Sequence, residues 1–230
     1  MSLKSELIYY SRLCYRNKFV SAADGNLSVR TKKNFILATA ANSFKGKLSP
    51  KDLVKVDFKW KKVQGKKEVS TEIKLHRYIY QARKDVNAVV HTHPVFSTAF
   101  GAAGIALDKI VYPEIYIKFG KIPLAKYATP STDEVPESIS KFVKDYDAIL
   151  LSNHGLVTFG TDLKDAYYKT EKIEHIARTS FYARMLGGEK ALTKAQVKEL
   201  DEIKNQKLNI KKQKLRPPVV NLRDSRRGKR

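Results

Sequence analysis

The run Val89-Val90-His91-Thr92-His93-Pro94 decides how this chain is read. The residues that open it, Asp85-Val86-Asn87-Ala88-Val89-Val90, are rich in β-branched side chains and read as a strand, in which residues two apart point to the same face. Two imidazoles therefore leave one face of a strand end together. A third stands at His154 in Ser152-Asn153-His154-Gly155, after a second apolar run, Ala148-Ile149-Leu150-Leu151. Three imidazole nitrogens at roughly 2.0 to 2.1 Å can hold one zinc ion with its fourth position open to water or substrate, as in a catalytic rather than a structural site. Taken singly, a histidine is as compatible with core or surface packing as with ligation. Economy favours the metal: of five histidines, three stand at strand ends followed by Pro or Gly, where loops build sites. The other two, His76 and His175, fall in helical stretches and read as structural.

Length and composition narrow the function classes. The chain has 230 residues, 42% of them hydrophobic, which suits one folded domain with a true core and an appendage. No apolar run reaches the ~18 residues of a membrane span, and Met1-Ser2-Leu3-Lys4-Ser5-Glu6 lacks the core of a signal peptide, so a cytoplasmic protein with no membrane partner is expected. Cys14 is the only cysteine, which excludes an internal disulfide. The net charge of +22 invites a nucleic-acid reading, yet eleven Lys and Arg residues against the single acid Asp224 lie in residues 204–230. The lysines of the body, such as Lys51, Lys55, Lys59, Lys61 and Lys62, are scattered without aromatic interleaving and read as solvated surface. Nucleic acid is not expected as a partner.

Periodicity outlines the rest. Residues 3–18 form an amphipathic helix with Leu3, Leu7, Ser11, Cys14 and Tyr15 on one side. Asp24-Gly25-Asn26 turns into a strand at 27–30, followed by strands at 34–39 and 54–60 and a loop at 64–67. Ser70-Thr71-Glu72 opens a helix with Ser70 as N-cap and Leu75, Tyr78, Ile79 and Ala82 inward. Residues 96–104 begin as helix, 121–125, 148–151 and 156–160 are strands, and 136–144 is a helix. Asp162 caps a long helix with Ala166, Thr170, Ile173, Ala177, Phe181 and Met185 inward, ending at Gly187-Gly188. Thr193 and Gln196 form a capping box for a last helix. The domain is taken as 1–208 and the basic extension, with Pro217-Pro218 and Arg226-Arg227-Gly228-Lys229-Arg230, as 209–230.

Together, Gly25-Asn26-Leu27-Ser28-Val29-Arg30, Ser70-Thr71-Glu72, His91-Thr92-His93-Pro94 and Asn153-His154-Gly155 occur in the order and spacing of the class II aldolase/adducin family. Within it, the chain most resembles the L-fuculose-1-phosphate aldolase branch, over residues 1 to about 190, including Ile122-Pro123-Leu124-Ala125-Lys126-Tyr127-Ala128-Thr129-Pro130. Each motif alone is weak; four in register are specific. The resemblance implies a three-layer α/β/α sandwich around a mostly antiparallel sheet and a homotetramer with sites between subunits. It also implies one zinc per subunit on His91, His93 and His154, and reversible cleavage of a ketose 1-phosphate to dihydroxyacetone phosphate and an aldehyde.

The same resemblance makes Glu72 the proton carrier and Gly25, Asn26, Ala41, Asn42, Ser70 and Thr71 the binders of the phosphate or its neighbouring atoms. A helix start is a natural anion site, and zinc is a natural Lewis acid for an enediolate. Structural readings stand beside these: Glu72 as a charge favouring the helix dipole, Ser70 as a cap, Gly25-Asn26 as a turn. Two departures matter. Where the family has Thr-Pro-Thr-Gly or Thr-Pro-Ser-Gly this chain has Thr39-Ala40-Ala41-Asn42, losing a hydroxyl, although Asn tolerates the left-handed backbone that Gly would adopt. The tyrosine that activates the aldehyde from a neighbouring subunit is best matched by Tyr112, with Tyr116 one turn away, and the family's C-terminal tyrosine has no counterpart after Tyr182. A pentulose-phosphate 4-epimerase or a methylthioribulose-phosphate dehydratase would use the same histidines, and an adducin-like binding protein is the non-enzymatic alternative.

Overall fold

In the computed structural model, residues 1–32 and 35–214 are described, with side chains through Gln206. Eight strands form a single sheet: β1 (Asn26–Arg30), β2 (Ile36–Thr39), β3 (Leu53–Val56), β4 (Lys62–Gln64), β5 (Ala88–Thr92), β6 (Leu124–Ala125), β7 (Ala148–Leu151) and β8 (Gly155–Gly160). Their order is β4-β3-β2-β1-β5-β8-β7-β6, and β6 with β7 is the one parallel pair, which meets the expectation of a mostly antiparallel sheet. The helices are α1 (Leu3–Arg16), α2 (Ile73–Ala82), α3 (Val95–Ala102), α4 (Pro113–Phe119), α5 (Glu134–Ile139), α6 (Leu163–Met185) and α7 (Lys194–Lys214).

Strand alternation sorts these helices into two layers. Val89 of β5, Ile149 and Leu151 of β7, and Val157 and Phe159 of β8 face α2 and α5, where Leu75, Ile79, Val135 and Ile139 complete one core. The alternate positions, Ala88, Val90, Ala148, Leu150 and Leu156, face α1, α3 and α6. Both faces are covered, so the central strands are buried along their whole length and read as continuous apolar runs. Among the described residues no helix is long and apolar enough to cross a membrane.

Several local expectations are corrected. The α2 helix begins at Ile73 with Glu72 as its capping residue, because Ser70 is spent on a preceding turn in which its carbonyl accepts from the Ile73 N–H at 3.1 Å. The third strand stops at Val56: the Asp57 carboxylate accepts from the Lys59 and Lys61 N–H groups, and Trp60 takes φ 67°, which turns the chain back into an unforeseen strand, β4. The inward face of α1 is Leu7, Tyr10, Ser11 and Cys14, with Leu3 and Tyr15 exposed. On α6, Phe181 and Met185, near the C-terminal end of the helix, are exposed. The α4 helix was not anticipated, and α7 continues to Lys214, beyond Leu208. Asn34, Leu215, Pro217-Pro218 and the terminal basic cluster lie outside the described residues.

The turn into β1 is set by Gly25. Its φ is +67°, and a Cβ built there would lie 2.7 Å from Val20 Cγ1 and 2.8 Å from the His91 carbonyl oxygen. Gly25→Ala is therefore expected to lower the unfolding free energy by about 1–3 kcal/mol, read from chemical denaturation. A midpoint equal to that of the parent chain would contradict this account of the turn.

Candidate metal centre and active site

His91 lies on β5 directly opposite Asn26 of β1 and Val157 of β8, and it is fully buried. Its Nδ1 is 3.1 Å from the Leu156 carbonyl oxygen. A carbonyl can only accept, so Nδ1 carries the proton and the Nε2 lone pair is left facing the cleft. His93 is one residue past the strand end, anchored by its N–H to the Phe19 carbonyl at 2.8 Å. His154 arrives from the tight turn between β7 and β8, in which Asn153 takes φ 55°. The glycine that follows is demanded by close approach: a Cβ at Gly155 would lie 2.5 Å from the Thr92 carbonyl oxygen and 2.6 Å from His93 Cδ2.

The three side chains meet at their Nε2 atoms, 3.2 Å apart for His93 and His91 and 3.3 Å for His91 and His154. One ligand atom from each lies within 4.8 Å of the others, so the group could hold a metal ion. Burial pushes His91 well below the usual imidazole value and lowers His93 as well. Three imidazole nitrogens that face one another at this spacing suit a cation held between them. The donor set fits a divalent ion.

Glu72 closes the site from the start of α2. Its Oε1 is 3.0 Å from His154 Nε2 and its Oε2 is 3.6 Å from His91 Nε2, while the Asn26 side-chain amide donates to Oε2 at 2.6 Å. The carboxylate makes no capping bond to its own helix and is turned into the cleft. Burial alone would raise its pKa, but His91, His154 and the Asn26 amide outweigh that and hold it well below the usual carboxylate range. The Asn26 Oδ1 is buried without a partner among the described residues.

The segments read as phosphate-binding converge beside this carboxylate. Ala40 bridges to Val69 and the Ala41 N–H donates to the Glu68 carbonyl at 2.9 Å, which lays the Ala41-Asn42 turn against Ser70-Thr71. The Leu27 N–H donates to Thr39 Oγ1 at 3.2 Å, fixing that turn to the Gly25-Asn26 strand. Asn42 takes φ 50°, the left-handed conformation expected where the family carries Gly. The Asn42 and Phe44 N–H groups find no acceptor among the described residues, whereas the Ser43 N–H closes the turn over Ala41-Asn42. Free amides beside a left-handed residue form an anion-binding concavity.

Tyr112 is not brought to this group within one chain. It precedes α4 and lines a small cavity with Ile115, Ile173 and Ile176. The Tyr116 hydroxyl is committed to Asp201 of α7 at 2.8 Å. Sequence reasoning missed two residues. Glu174 of α6 accepts from the Phe96 and Ser97 N–H groups at 2.9 and 2.8 Å, capping α3 just after His93-Pro94; it falls on the same helical stripe as Thr170 and Ala177, the signal that was available. Lys45 is buried at 1% exposure a few residues beyond the Ala41-Asn42 turn, and its place in Ser43-Phe44-Lys45-Gly46, beside the altered loop, was the hint.

Known proteins are similar to this chain in sequence and in fold. A family profile described as the class II aldolase and adducin N-terminal domain matches residues 5–181. An L-fuculose phosphate aldolase of Methanococcus maripaludis is 36% identical over 183 residues, covering 80% of this chain and 98% of that protein. A 3-oxo-tetronate 4-phosphate decarboxylase of Haemophilus influenzae is 30% identical over 208 residues, covering 87% and 97%. The crystal structure of L-fuculose-1-phosphate aldolase from Thermus thermophilus superposes with a TM-score of 0.72 at 27% identity, covering 83% of this chain and 98% of that one. On its motifs, its fold and these likenesses, the chain belongs to the class II aldolase and adducin family.

Proposed function

We propose that the chain is a zinc-dependent aldehyde-lyase that reversibly cleaves a ketose 1-phosphate, such as L-fuculose 1-phosphate, to dihydroxyacetone phosphate and an aldehyde. The observation that carries this reading is the Glu72 carboxylate, 3.0 Å from His154 Nε2 and turned away from its own helix, beside a turn with free amides. His91, His93 and His154 would hold the metal, which when bound supplies Lewis-acid stabilisation for charge developing on the carbonyl and adjacent hydroxyl oxygens of the substrate. The Leu156 carbonyl keeps His91 in the tautomer that presents Nε2. Glu72 carries the proton, giving it to the substrate carbon after carbon–carbon cleavage and removing it in the synthetic direction. Asn26 holds that carboxylate through Oε2, and Oε1 faces His154 Nε2 at 3.0 Å, beside the metal position. Gly25, Asn26, Ala41, Asn42, Ser70 and Thr71 receive the phosphate.

The aldehyde end requires a second subunit, with Tyr112 as the acid that crosses the interface of a cytoplasmic homotetramer. The exposed apolar side chains Val95, Phe181 and Met185, beside α3 and the end of α6, support such a contact. A decarboxylase reading draws on the Haemophilus likeness and would use the same metal and the same charge stabilisation. A panel of ketose 1-phosphates, pentulose 5-phosphates, methylthioribulose 1-phosphate and 3-oxo-tetronate 4-phosphate separates lyase, epimerase, dehydratase and decarboxylase. Dihydroxyacetone phosphate released from a ketose 1-phosphate is the expected product; release of carbon dioxide alone would refute the aldolase reading.

Four further outcomes are expected. Purified protein should carry about one zinc per chain by elemental analysis, and His91→Ala, His93→Ala and His154→Ala should each lose most of it. Metal content unchanged in all three would remove the site. Chelator should abolish cleavage and borohydride with substrate should trap nothing, whereas a lysine-imine enzyme would behave in the opposite way. Glu72→Gln should keep its metal and lose on the order of 10² to 10⁴ in rate; near-normal turnover would end the proton-carrier role. Finally, residues 209–230 are proposed to be an extension outside the domain, since the Tyr116–Asp201 bond that docks α7 lies before them. Truncation after Leu208 should leave melting temperature, assembly size and turnover unchanged, and a fall in any of them would make the extension part of the working enzyme.

A further inference from the structure

Lys45 is a fully buried lysine that lies between the two turns read as phosphate-binding. Its ammonium donates to the Ala23 carbonyl at 2.8 Å and to the Ser43 carbonyl at 2.9 Å. Its own N–H reaches the Ala22 carbonyl at 3.4 Å. One side chain thus ties the turn before Gly25-Asn26 to the turn after Ala41-Asn42. Among the described residues no carboxylate forms an ion pair with it; its direct partners are the two carbonyls, and Asp24, Glu72 and Asp52 act on the charge only from farther away. An ammonium held that way is costly unless a counter-charge arrives. Two neutral donors could have bridged the same carbonyls.

Peptide geometry says where that counter-charge would sit. Across a planar trans peptide the carbonyl of one residue and the N–H of the next point in opposite directions. With the Ser43 carbonyl drawn to the ammonium, the Phe44 N–H is aimed away from it, and that amide, like that of Asn42, has no acceptor among the described residues. Ala41 also brings no hydroxyl to the loop, where the family resemblance implies one, so less neutral hydrogen bonding is available to an anion there.

We propose that Lys45 is the fixed positive charge behind the phosphate pocket, a positioning residue that holds the Ala23–Gly25 and Asn42–Phe44 turns for a phosphorylated substrate and offsets the lost hydroxyl. This rests on the reading of these turns as the phosphate site, and the experiment keeps the two apart. Burial lowers the Lys45 ammonium to about 8, which leaves it mostly charged at neutral pH.

The test uses the full-length protein with Lys45→Met, which removes the charge at similar volume, and Lys45→Arg, which keeps it. Inorganic phosphate is the probe, as a competitive inhibitor, alongside turnover of a ketose 1-phosphate and of the same ketose without phosphate. The Met variant should retain its zinc and its rate on the unphosphorylated ketose. Its inhibition constant for phosphate and its KM for the phosphorylated ketose should both rise by about tenfold or more, with substantial rescue in the Arg variant. Equal losses on both ketoses, or unchanged phosphate inhibition in the Met variant, would overturn the proposal. If the Met variant does not fold, 15N-lysine-labelled parent protein decides: the ammonium resonance missing from the Arg variant should shift on adding phosphate, and an unmoved resonance would overturn the role. Phosphate-dependent movement of that resonance in a protein that cleaves no ketose phosphate would retain the anion site and dismiss the aldolase reading.

Discussion

The pairing of β5 between β1 and β8 is the constraint on which the rest of the molecule depends. Antiparallel register sets Asn26 opposite His91 and His91 opposite Val157, so an amide and an imidazole stand side by side on the face that α2 covers. A slip of one residue would send His91 to the α1 and α6 face and Val90 into the cleft. Register is held by burial on both faces, with Val89 in one core and Ala88 and Val90 in the other. His91 therefore rests on a strand buried along its whole length, while His93, one residue past the strand end, and His154 are supplied by turns. A rigid strand carrying one ligand, with turns bringing the others, suits a site that must hold three nitrogens about a single point.

Polar groups behind the site are chosen for what they leave free. The Leu156 carbonyl takes the Nδ1 proton of His91, Asn26 takes one oxygen of Glu72, and Glu174 caps α3 so that no residue of the His93-Pro94 turn is needed for that purpose. Each partner satisfies one valence and leaves the reactive one turned inward. His76 follows the same pattern without touching the centre: its Nδ1 is 2.6 Å from Ser28 Oγ, which also reaches the Tyr80 hydroxyl at 2.9 Å. Burial lowers His76 to about 4, so the ring stays neutral and adds no charge beside Glu72. The structural role expected of it from the sequence agrees with these contacts.

Most of the site was legible because its chemistry is carried by short local motifs. His91-Thr92-His93, Asn153-His154-Gly155 and Ser70-Thr71-Glu72 are each a few residues long, and the spacing of side chains along a strand or at a helix start follows from backbone geometry. Asn42 was anticipated in a left-handed turn, and it takes one. What was misread depended on distant partners. The third strand ends early because Asp57 and Trp60 form a turn, and on α6 Phe181 and Met185, near its C-terminal end, stay exposed although they continue the apolar stripe. Lys45 carries no local mark of burial, since a lysine is solvated unless other segments fold over it.

The sequence by itself determined the strands and helices of the core, the order of the motifs, and the identity of the residues that could bind a cation, because apolar period and residue chemistry are properties of contiguous chain. Tertiary structure alone decided that the three imidazoles share one point, that Glu72 turns from its helix toward His154, and that two turns about twenty residues apart are joined by one buried ammonium. Those facts arise from long-range antiparallel pairing and from the desolvation of polar groups between layers. Neither is encoded at any one position, and both exist only once the sheet has closed over its two faces of helices.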